Sequence, residues 1–99
     1  MVSLSLLTPT EMAARLAERV RARRLVLGLR QQDVAERSGV SLASLRRFER
    51  TGLIAFDSLL KIAVVLDAVA EFDGLFPEPA FRSIDDVVSR PTRRRGRRS

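Results

Sequence analysis

The chain has 99 residues, 45% of them apolar and 30% charged, with 18 Lys or Arg against 12 Asp or Glu and a net charge of +6. That length suits one domain with a small hydrophobic core. It contains neither cysteine nor histidine, which excludes disulfides, thiolate metal sites and the commonest general base; no metal, cofactor or catalytic centre is expected.

Residues 1–8 alternate Val2, Leu4 and Leu6 with Ser3 and Ser5. Period-two alternation is a strand signal, and an ordinary frayed terminus reads the same way. Residues 1–9 are therefore an N-terminal extension. A helix is expected over 10–27. Thr8 or Thr10 caps it, Pro9 suits the first turn and Glu11 sits near the positive end of the helix dipole. Met12, Ala13, Leu16, Val20 and Leu27 fall near one face, Arg15, Arg19, Arg21 and Arg23 mostly outside it, and Gly28 ends the helix.

Residues 31–38 form a second helix with Val34 and Ala35 inward. Gly39 follows where a left-handed C-cap is free of steric cost. Ser41 is then an N-cap for a helix over 42–50, ending at Thr51-Gly52. Leu42, Leu45 and Phe48 are its apolar residues; Ser44, Arg46, Arg47 and Arg50 are its polar side. So short a helix must pack its apolar stripe on other helices, leaving the arginines to water or to something anionic.

A fourth helix is expected over 55–68, capped by Asp57 or Ser58. Leu59, Ile62, Ala63 and Leu66 face the core, Val65 and Val69 form a second edge, and Phe56 packs inward as a hydrophobic staple. Residues 71–76 read as a short fifth helix or turn. Pro77 and Pro79 break it, and residues 77–89 form an acidic docking segment with Phe81, Ile84, Val87 and Val88. Residues 90–99 hold six Arg and no apolar residue, so this tail is expected to be unfolded alone. It is either a solvated tail or a non-specific nucleic-acid arm. Residues 1–60 carry ten basic and six acidic residues, residues 61–89 two and six. This polarity puts the paired helices in a basic half that suits a polyanion. No basic lead precedes an apolar run at the N-terminus, and no apolar run approaches the ~20 residues of a membrane span, so a soluble intracellular protein is expected.

Helix, glycine turn and second helix resemble a helix-turn-helix, in which the second helix enters the DNA major groove. The run from Leu27 to Arg50, with Gln31, Ala35, Gly39, Val40, Leu45, Phe48 and Glu49 at matching spacings, is similar to the Cro/C1-type (XRE-like, lambda repressor-like) regulators. The resemblance covers residues 15–76. It implies an all-α domain of five helices over 10–76. Arg30 departs from it, because the family usually has a small polar cap there.

The resemblance also implies roles. Ser41, Leu42, Ala43 and Arg47 read bases; Arg47 can bind guanine O6 and N7 bidentately, while Leu42 and Ala43 can touch thymine methyls. Many relatives carry Gln at these last two sites, so base discrimination is narrower here or rests on DNA shape. Gln31, Ser44, Arg46 and Arg50 are placed for phosphates; for Gln31 the alternative, a polar residue near a helix start, is the less favoured. Arg24 and Glu49 match an internal ion pair that holds the reading helix; the alternative is two solvated charges worth about 1 kcal/mol or less. Phe72 and Leu75 either complete the core or form a dimer seam.

A homodimer on a palindromic double-stranded operator is implied, acting as a repressor at a bacterial nucleoid in the cytoplasm. Residues 48–88 look like the HipB-like antitoxins, which bind a HipA-like kinase toxin and repress their own toxin–antitoxin operon. A stand-alone regulator of the same type, or a protein- or RNA-interaction module on the same scaffold, is the alternative. An enzyme is not expected, since the acidic doublet Asp85-Asp86 beside a basic tail is no catalytic cleft.

Overall fold

The structure, a computed structural model, describes residues 7–80. The expectations for a strand near Val2 to Leu6, for most of the acidic segment and for the basic tail lie outside the described residues. Five helices follow one another: α1 (Pro9–Val26), α2 (Gln31–Ser38), α3 (Leu42–Thr51), α4 (Phe56–Val65) and α5 (Val69–Asp73). No strand occurs among the described residues. The expected all-α, five-helix architecture is the one observed.

Helix α1 starts one residue earlier than expected, and Thr8 is its cap. The Thr8 hydroxyl accepts from the Glu11 N–H at 3.0 Å, and the Glu11 carboxylate accepts from the Thr8 N–H at 3.0 Å. Two N–H groups that the first turn cannot satisfy internally are thereby bonded. The Thr8 N–H, and then its hydroxyl, hold the Glu11 carboxyl below its ordinary range. The buried stripe of α1 differs from expectation. Met12 and Leu27 are exposed, whereas Ala17 and Arg24 are buried, with Ala13, Leu16 and Val20 half-buried beside them. The small Ala17 lets α3 approach closely, a reason for burial that hydropathy does not register.

Arg30 has no side-chain acceptor, so it cannot cap α2 as a Ser or Thr would. The bond runs the other way. The Asp33 carboxylate accepts from the Arg30 N–H at 2.8 Å and from its guanidinium at 3.0 and 3.2 Å. The guanidinium, and then the backbone N–H, lower the Asp33 carboxyl to about 2. Gly39 closes α2 at φ 81°.

Helix α3 is capped by Ser41, whose hydroxyl accepts from the Ser44 N–H at 3.0 Å. It ends at Gly52 with φ 83°. A Cβ at Gly52 would lie 2.8 Å from the carbonyl carbon of Ala13, so glycine is required both for the left-handed turn and for the contact with α1.

Helix α4 is shorter than expected. Ala55 is its N-cap and makes no side-chain cap bond, so neither Asp57 nor Ser58 caps it. Phe56 is the first helical residue rather than a staple preceding the cap. It is 62% exposed and meets Phe72 edge-on, ring centroids 6.3 Å apart. Asp67, at φ 56°, turns the chain before α5, and Val69 is exposed rather than part of an apolar edge.

The core has two buried clusters. Val34, Val40, Leu45, Ile62 and Leu66 form one, and Ala17, Phe48 and Leu59 the other; Val20 and Ile54 pack on both. Burying each large side chain contributes about 1.5–3 kcal/mol. Leu45 and Phe48 put one α3 residue at the centre of each cluster, which fixes the roll of that helix.

Candidate nucleic-acid interface

Because Leu45 and Phe48 point inward, the residues between them point out. Ala43, Arg46, Arg47 and Arg50 are all exposed on α3, and their spacing of three, four and seven puts them on one stripe. Ser41 and Ser44 lie exposed at the N-terminal end of the helix, their hydroxyls 2.9 Å apart, and Leu42 is half-buried. The residues expected to read bases and three of the four expected at phosphates therefore share one helix face and its leading end.

The fourth, Gln31, opens α2 beside them. Its side-chain amide donates to Glu49 Oε1 at 2.9 Å, and its carbonyl oxygen accepts from Arg46 Nε at 3.4 Å. Glu49 accepts in turn from Arg24 Nε and the second guanidinium nitrogen, at 2.7 and 2.9 Å. The remaining Arg24 nitrogen donates to the Leu29 carbonyl at 3.0 Å. The Arg24 and Glu49 side chains keep only 8% and 4% of their surface. This is not a pair of solvated charges. It is a bidentate, desolvated pair whose lone pairs and N–H groups are largely satisfied, the condition under which burial of charge is tolerated.

One chain of bonds thus runs from the α1–α2 loop through Arg24, Glu49 and Gln31 to the exposed Arg46. It ties α1, α2 and α3 together on the side that carries the arginines. The links through Gln31 were not expected from the sequence, because the spacing of 15 residues to Arg46 and 18 to Glu49 carries no local signal. A second unexpected anchor is Arg23, which donates to the Leu66 carbonyl at 3.3 Å and to Glu71 at 2.8 Å. It joins α1 to the end of α4 and to α5. The remaining expected residues, Phe72 and Leu75, lie away from this network: Phe72 is half-buried against the second core cluster and Leu75 is 53% exposed.

A family model described as helix-turn-helix matches residues 20–71, just over half of the chain. The chain belongs to the helix-turn-helix family. It is a DNA-binding regulator of the Cro/C1 type. No curated protein matches the chain. The matched span of this helix-turn-helix includes Arg24, Gln31 and Glu49 as well as all of α2 and α3, so the orienting network belongs to the family region. Among the described residues no helix is long and apolar enough to cross a membrane, and no cluster of acidic residues could hold a metal ion.

Proposed function

We propose that this helix-turn-helix protein represses transcription as a homodimer on a palindromic operator, with α3 in the major groove. The observation that carries the reading is the exposed Arg46, Arg47 and Arg50 stripe on a helix locked beside that stripe by the buried Arg24–Glu49 pair. A guanidinium recognises guanine only if its helix is held at a defined angle. Arg47 reads guanine, Leu42 and Ala43 contact thymine methyls, and Ser41 hydrogen-bonds a base edge. Arg46, Arg50, Ser44 and the free N–H of the Gln31 amide bind phosphates. One α3 offers too few base contacts for strong specificity, so two copies read two half-sites about one turn apart. Leu75 belongs to the seam between them, and Phe72 packs on the second core cluster.

The domain limits of this reading are an extension over 1–9, the DNA-binding body over 10–76, an acidic segment over 77–89 and a basic arm over 90–99. The arm adds sequence-independent attraction to phosphate. The likeness of residues 48–88 to HipB-like antitoxins supports a role in a toxin–antitoxin operon, with a HipA-like kinase as the second partner.

Selection of bound DNA from a random library, followed by sedimentation with the selected duplex, tests the reading. A palindromic consensus bound by two chains is expected. Equal, salt-sensitive binding to all sequences would reduce the arginines to an electrostatic patch and favour a protein or RNA partner.

A further inference from the structure

Helices α1, α4 and α5 leave an open apolar groove between them. Leu16, Val20, Leu59, Leu66 and Phe72 line it, and Arg19 and Arg23 stand along its α1 wall. Its free volume is about 90 Å³, well below the ~300–1,000 Å³ of small-molecule sites. It accepts side-chain tips rather than a ligand of its own. Arg23 already donates to Glu71, and Arg19 makes no ion pair among the described residues. The groove therefore offers an apolar floor flanked by the Arg23–Glu71 pair and by Arg19, the cation of its lining that has no acidic partner among the described residues.

We propose that residues 81–88 of the same chain occupy this groove. Three observations select them. The chain leaves the body from α5, and Phe72 of α5 is itself a wall of the groove. Residue 81 is nine residues beyond Phe72, a reach of up to about 30 Å. Next, Phe81, Ile84, Val87 and Val88 recur at spacings of three, six and seven, the pattern that gathers apolar side chains along one side of a helical segment. Last, Asp85 and Asp86 lie between Ile84 and Val87, opposite in charge to Arg19, whose guanidinium has no acidic partner among the described residues. The other candidates fit less well. Residues 1–6 are apolar but carry no acidic side chain. A second copy packed on this face about a twofold axis would bring two Arg19 side chains together and supply no acidic partner for them beyond Glu71, which Arg23 already holds. Docking of residues 81–88 fixes the origin of the six arginines over 90–99 on the body, instead of at the end of a free linker.

The chain has no native cysteine, so paired substitutions in the full chain read the docking directly. Ala68 lines the groove, and the nearby exposed Ala70 does not. Ala68→Cys with Ser83→Cys should form a within-chain disulfide about tenfold faster than Ala70→Cys with Ser83→Cys, because docking raises the local concentration only at the groove. Adding Asp85→Lys and Asp86→Lys should bring the first rate down to the second. Helical circular dichroism verifies that each variant is folded. Equal rates for the two pairs, a disulfide between chains, or a rate indifferent to the charge reversal would overturn the assignment. The readout needs no DNA, so it stands apart from the proposed operator contacts.

Discussion

Helix α3 buries Leu45 and Phe48, is capped at one end by Ser41 and at the other by Gly52, and holds Glu49 in a two-bond ion pair. Helix α5 has five residues, buries none of them and has no side-chain cap; Leu75 and Phe76 follow it 53% and 92% exposed. The first helix is over-determined by core, caps and network, so its orientation is built into the fold. The second is held by one half-buried phenyl ring and by Arg23 donating to Glu71. A reading helix needs the first arrangement, since an error in angle misplaces every base contact. Exposed apolar side chains after a loosely held helix suit a surface completed by a partner.

The largest effect is expected at Phe48. Phe48→Ala empties the centre of the second core cluster and should cost about 3–5 kcal/mol of stability, measured by denaturant unfolding; a near-native midpoint would mean that α3 is not held by its core. Gly52→Ala comes next, at about 2–3 kcal/mol, since left-handed backbone strain adds to a clash with Ala13. Gly39→Ala should cost only about 1–2 kcal/mol, because nothing lies within 4 Å of the added Cβ. Equal losses would show that α1 yields at Ala13. Leu75→Glu should change monomer stability by less than about 0.5 kcal/mol while shifting sedimentation toward monomer; an unchanged dimer would move the seam elsewhere.

The smallest effect is at Asp33. Its carboxyl is lowered in the folded state to about 2 from an ordinary 3.8, so the folded state binds that proton less readily than the unfolded chain. The stability it contributes is present above pH 3.8 and is lost as pH falls toward 2. Asp33→Asn should flatten the acid limb of stability between these limits. An unaltered limb would show that the Arg30 contacts do not order the start of α2.

Local chemistry made much of this legible beforehand. The α2 and α3 limits follow from Gly39, Ser41 and Gly52, and the outward stripe of α3 follows from the spacing of Leu45 and Phe48. What failed is where neighbours rather than local pattern decide. Ala17 is buried for its smallness, and Arg24 because a glutamate 25 residues away neutralises it. Phe56 is expected inside as a staple before the helix, yet it opens α4 itself and lies on the surface beside Phe72. The Arg24–Glu49 pairing is legible through family resemblance; its extension through Gln31 to Arg46 joins residues 18 and 15 apart in the chain, which only the packing of α2 on α3 brings together.

On the proposed reading, α3 is held so that Arg47 reads one base pair. The most direct measurement is the affinity of the wild-type chain and of Arg47→Ala for the selected operator and for each single-base variant of it, at one salt concentration. A loss of about 1–3 kcal/mol on the operator is expected, with discrimination relaxed at one position of each half-site and kept at the others. A uniform loss across all sequences would contradict it, leaving Arg47 as one more phosphate-facing charge.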